Sequence, residues 1–182
     1  MSCVAYVALL RGIAPANPKM RNAELAKVFE QLSFDRVHTV LSSGNVLFET
    51  SERSAAKLEQ RIERALHDHL GAPCAVILRT RRQIERISGL DAFDAWDDEL
   101  TGRCQVTFLK RSPAPSLTPR PRVTGATIIE VRDRAVFFVV DTTTSATPVL
   151  MRELERSYGK DITTRTWKTV QRIASAFDQR QA

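Results

Sequence analysis

The strongest constraint in this sequence is a short segment near its start that has no polar face. From Cys3 to Arg11 the chain reads Cys-Val-Ala-Tyr-Val-Ala-Leu-Leu-Arg. In a strand, Val4, Tyr6, Ala8 and Leu10 point one way, and Cys3, Ala5, Val7 and Leu9 the other. Both sets are apolar, which predicts a strand covered on both sides. No basic region precedes the run and no small-residue cleavage site follows it, so it reads as a strand and not as a signal peptide.

Downstream the periodicity alternates between 3.6 and 2. Asn22 is placed to cap a helix whose Leu25, Val28, Phe29 and Leu32 recur at i, i+3, i+4, i+7. Residues 36–41 and 46–50 predict two strands around the hairpin-like connection Ser42-Ser43-Gly44-Asn45. Ser54 opens a second helix, with Leu58, Ile62, Ala65, Leu66 and Leu70 on one face and Gly71 closing it, and a strand at 74–79 follows. The order β-α-β-β-α-β is the split-βαβ, or ferredoxin-like, arrangement.

The second part opens on Thr80-x-x-Gln83, a capping-box pattern ahead of Ile84 and Ile87. Strands are expected at 104–110, 127–132 and 135–140, with a proline-rich loop over 111–125. Thr147 and Pro148 predict a helix start that Gly159 ends, and Trp167, Val170, Ala174 and Phe177 form a last amphipathic helix. The expected organisation is an N-terminal βαββαβ half over 1–79 and a C-terminal α+β half over 80–182.

Composition excludes more than it assigns. With 182 residues, 43% hydrophobic and 26% charged, wholesale disorder, a collagen-like chain and a coiled-coil rod are ruled out. No apolar run approaches the roughly 18–20 residues of a membrane span, so no membrane association is expected. The 27 basic and 21 acidic residues give +6, spread along the chain without a block of like charge, which argues against nucleic acid as a partner. Cys3, Cys74 and Cys104 are far apart and lack Cys-x-x-Cys spacing, which fits reduced, buried thiols in the cytoplasm rather than a disulfide framework or a zinc site. His67 and His69 point to different faces of a helix and His38 stands alone, so no metal is expected.

No nucleophile elbow, Walker loop, dinucleotide fingerprint or zincin motif is present, so no catalytic residue and no cofactor is assigned. The acidic stretch 91–99 reads as solvated charge, and the hydroxyl run 141–147 as a polar loop ending in a cap. Three other stretches are better candidates. Arg11-Gly12 ends the double-faced strand, where a charge is costly unless paired or at the rim. Ser42-Ser43-Gly44-Asn45 is a tight turn whose N–H groups could form an anion nest. Thr163-Thr164-Arg165-Thr166-Trp167-Lys168-Thr169 sets hydroxyls and cations around a helix start. Pattern alone does not decide whether the first two share a rim.

Those three stretches, Tyr6 to Ile13, Val37 to Phe48 and Thr163 to Val170, together resemble the uncharacterised bacterial family called domain of unknown function 1697. The resemblance implies an α+β protein of two ferredoxin-like halves packed together, with no established activity. It carries over Arg11, Gly12, Ser43, Gly44, Asn45, Arg165 and Trp167. The family's glycine-rich loop is here Ala14-Pro15-Ala16-Asn17-Pro18-Lys19; Ser42 replaces its Gln and Thr166 its Asn. If that loop binds through backbone donors, the two prolines remove some of them.

The combined reading is a cytoplasmic binding or interaction module for a small anionic or phosphate-bearing ligand or a protein partner. Its ligand-binding candidates are Arg11, Gly12, Ser43, Gly44, Asn45, Arg165, Trp167 and Lys168. The alternatives are an enzyme acting on a phosphate-bearing small molecule, with Arg11 and Arg165 as anion clamps, and an RNA-binding module. Binding is favoured over catalysis. The run Ala135-Val-Phe-Phe-Val-Val140 also has two apolar faces, which calls for cover from the other half or from a second copy in a homodimer.

Overall fold

The structure is a computed structural model that describes residues 3–95, 103–112, 124–141 and 146–179. The chain folds as two compact units, Met1–Glu85 with Arg172–Ala182, and Arg86–Gln171. The first unit thus runs on beyond residue 79 and takes back the end of the last helix.

In the first unit, β1 (Val4–Leu10), α1 (Asn22–Gln31), β2 (Asp35–Thr39), β3 (Asn45–Thr50), α2 (Ala55–Leu70) and β4 (Val76–Thr80) build an antiparallel sheet of order β2-β3-β1-β4. α3 (Arg81–Ser88) follows directly. Tyr6, Ala8 and Leu10 of β1 join Val46, Phe48, Val76 and Leu78 in one cluster with Leu25, Val28 and Phe29 of α1 and Leu58, Ile62 and Leu66 of α2. Each such side chain contributes about 1.5–3 kcal/mol on burial. The opposite parity is buried as well: Val7, Leu9, Leu47 and Ile77 are each 0% exposed, as the two apolar faces of β1 predicted. The caps are local. Ser54 accepts the Lys57 N–H, and Gly71 ends α2 at φ +74°. The helix expected from Asn22 begins on that residue, with Arg21 in the cap position.

The second unit repeats the plan. β5 (Cys104–Leu109), β6 (Ala126–Arg132), β7 (Ala135–Val140), α4 (Ala146–Tyr158) and β8 (Ile162–Thr166) form a sheet of order β6-β7-β5-β8, and α5 (Trp167–Asp178) follows. Most of the proline-rich loop, the hydroxyl run 142–145 and part of the acidic stretch lie outside the described residues. All six residues of β7 are buried in the chain, and contacts within this unit reach both of its faces. Val136, Phe138 and Val140 pack with Leu150 and Leu154 of α4, and Phe137 meets Phe93 and Trp167. This strand therefore does not by itself call for a second copy.

The two halves share a register as well as a topology. In each, the fourth strand ends Arg-Thr and a helix starts on the next residue. Arg79 pairs with Val7 of β1, and Arg165 with Val106 of β5. Each arginine donates from Nη1 to the carbonyl oxygen just before it, Leu78 O or Thr164 O, at 2.8 Å. Each threonine hydroxyl accepts an N–H three residues on, from Gln83 or Thr169, at 3.2 Å.

Candidate functional site

The antiparallel pairing of β1 with β3 sets Leu9 opposite Asn45. The end of the first strand and the β2–β3 turn therefore share one rim of the first unit's sheet. The Leu10 N–H donates to Gly44 O at 2.8 Å, and Arg11 N–H to Ala75 O at 2.9 Å. Gly44 sits so close to Leu10 and Ile13 that a Cβ there would force the Ile13 side chain to shift. Asn45, 1% exposed, closes the turn by donating from Nδ2 to Val40 O and to Ser43 Oγ, each at 2.9 Å.

Gly12 and Gly44 both adopt φ +74°, so two left-handed bends stand side by side. Among the described residues, the N–H groups of Gly12, Ile13, Ser42 and Ser43 donate to no protein acceptor. Gly12, Ser42 and Ser43 are exposed and Arg11 is half-buried. Pro18 begins a 3-10 turn capped by Asn17, whose side chain accepts the Lys19 N–H. The two prolines thus lie in the loop beyond the bend and leave the Gly12 and Ile13 donors in place.

The other three candidates belong to the second unit and mostly serve its core. Arg165 is 8% exposed, and its Nη1 also donates to Thr163 Oγ1 at 2.8 Å. Trp167 packs edge-on against Phe93, with centroids 5.2 Å apart, and more distantly against Phe137. Lys168 is exposed on the first turn of α5. Cys74 and Cys104 are buried; Cys3, expected to be buried too, is exposed because it precedes the paired part of β1.

The sequence reading did not nominate a cleft of about 740 Å³ at the other end of β1. It lies between the strand starts and α3, lined in part by Arg36, Glu49, Arg81, Arg82 and Glu85. Arg81 bonds Glu85, Asp178 and the Phe177 carbonyl. The Glu85 hydrogen bond holds its pKa above the ordinary arginine value against partial burial. A cluster drawn from β1, β2, β3 and α3 has no sequence signature, because strand register alone assembles it.

The family model of DUF1697, a protein of unknown function, matches residues 4–137. The chain belongs to this family. The match takes in the rim of Arg11 and Asn45 and stops before the Thr163–Val170 stretch. Among solved structures, this DUF1697 chain is similar in fold to "conserved bacterial protein SP0830 from Streptococcus pneumoniae", with a TM-score of 0.76 and 19% identity over 97% of this chain and 99% of that one. At that identity the likeness speaks for the fold alone. No curated protein matches. Among the described residues no helix is long and apolar enough to cross a membrane, and no three His, Cys, Asp or Glu gather into a metal-binding group.

Proposed function

We propose that this DUF1697 chain is a binding module for a small phosphate-bearing ligand, received on the rim where Arg11-Gly12 meets Ser42–Asn45. The carrying observation is the contact of Gly44 with Leu10 and Ile13, which brings two glycine bends and their undonated N–H groups to the strand end that carries Arg11. Backbone donors in left-handed bends make anion-binding concavities, and a guanidinium adds charge and a planar fork. Neither 10–13 nor 42–45 contains a side chain that takes a proton near neutral pH, which favours binding over catalysis.

Titration with inorganic phosphate and with AMP, followed by amide shifts, tests the reading. Saturable shifts at Gly12, Ile13, Ser42 and Ser43 are expected. Arg11→Ala should weaken them about tenfold or more, since a charge-assisted hydrogen bond is worth about 1.5–3 kcal/mol. Unmoved amides at the rim, or an Arg11→Ala variant that titrates like the wild type, would overturn it.

A further inference from the structure

The likeness of the two halves allows the cleft to be judged against its own counterpart. Ladder pairing aligns them residue by residue: Val7 with Val106 and Arg79 with Arg165, and Ala5–Glu49 with Cys104–Val139. Both second strands carry one extra residue at the same place, between Asp35 and His38 and between Ile128 and Glu130. By this alignment the second-unit equivalents of Arg36, Glu49 and Arg81 are Ile128, Val139 and Trp167. Val139 and Trp167 are buried core residues. One fold thus accepts apolar residues at these three positions, while Arg82 and Glu85 answer to Lys168 and Gln171, so the charges of Arg36, Glu49 and Arg81 are not a requirement of the architecture.

The lining charges are paired except at one position. Arg36 Nη1 stands 3.8 Å from Glu49 Oε1, and Arg81 bonds Glu85 and Asp178. Arg82 is exposed and, among the described residues, its side chain makes no hydrogen bond or ion pair. Arg36 adopts φ +48° at its bulge, a left-handed conformation that a side-chain-bearing residue holds only at a cost. Val4, Ala5 and Phe177 supply apolar lining.

We propose that this cleft, separate from the phosphate rim, receives a small organic acid whose single carboxylate pairs with Arg82. The guanidinium fork matches a carboxylate in bidentate fashion. The volume suits a molecule of metabolite size rather than a bare ion. Glu49 and Glu85 repel the second charge of a phosphate dianion, whereas the rim stretches 10–13 and 42–45 contain no carboxylate. Arg82, an unpaired guanidinium among paired charges and apolar lining, therefore suits a monoanion with an apolar body.

Sodium benzoate is the probe, with inorganic phosphate as the counter-probe, both read by amide shifts on the full chain. Benzoate should move Val4, Ala5, Arg81 and Arg82 saturably, and phosphate should leave them in place. Arg82→Ala should weaken benzoate binding tenfold or more, Arg82→Lys less, and Arg11→Ala not at all. Because Arg82 is exposed, its variants should keep the wild-type spectrum elsewhere and the same Tm. A wild type that benzoate does not move, an Arg82→Ala variant that binds as well, or phosphate binding equally at these amides would each overturn the proposal. Phosphate shifts at Gly12 and Ser43 report on the rim separately, so either reading can fail alone.

Discussion

A Cβ placed on Gly44 would lie 2.5 Å from Cγ1 of Ile13 and 3.0 Å from Cβ of Leu10. Gly12, at the same φ of +74°, has nothing within 4 Å of the corresponding position. The two glycines therefore separate two effects that coincide in most turns. Gly12→Ala should cost about 1 kcal/mol, for the left-handed backbone alone. Gly44→Ala adds overpacking, about 1–3 kcal/mol more. Urea denaturation of both variants checks this; equal losses would show that the rim yields to the added methyl.

The thiols should react in order of exposure. Cys3 is exposed, while Cys74 and Cys104 are buried and burial pushes the Cys104 thiol pKa up. Since the thiolate is the nucleophile, brief iodoacetamide treatment of the native protein should give one adduct, at Cys3, and three after unfolding. Fast native labelling at Cys74 or Cys104 would contradict the packing under β1 and β5.

Tyr6 should make stability sensitive to alkali. Its hydroxyl donates toward Glu52 O and Arg53 O, each at 3.4 Å. Burial first, then the Glu52 carboxylate, raises its pKa above 10.0, with Arg53 opposing. A raised folded-state pKa means that the fold prefers the protonated phenol. The resulting stability is full below the unfolded value and is lost as pH rises through the folded one. Tyr6→Phe should cost about 0.5–1.5 kcal/mol near neutrality. The gap should narrow above pH ~10, where the unfolded phenol ionises. Paired denaturation curves at neutral and alkaline pH test the sign.

Some of this architecture is legible in short windows and some is not. Ser54, Gly71 and the Thr80–Gln83 pair announce helix ends because a cap depends on neighbours within about four residues. β8 escaped the periodicity reading. Thr163, Thr164, Arg165 and Thr166 show no apolar alternation, and only β-branching hints at a strand. What holds them is pairing with β5, including Thr107 Oγ1 against Thr164 Oγ1 at 2.6 Å. Arg79, 1% exposed, likewise looks like a surface residue until its strand is placed in the sheet.

The sequence by itself determined which segments become strands with two buried faces, that α2 stops at Gly71 and α4 at Gly159, and the βαββαβ order of the first half. These follow from side-chain alternation and capping, which act over a few residues. Only the tertiary structure decided that Arg11-Gly12 and Ser42–Asn45 share a rim, and that Arg36, Glu49, Arg81 and Arg82 line one cleft. Both depend on strand register, where a shift of one residue turns every side chain to the other face. Register is set by the summed packing of distant segments, and no local window contains it.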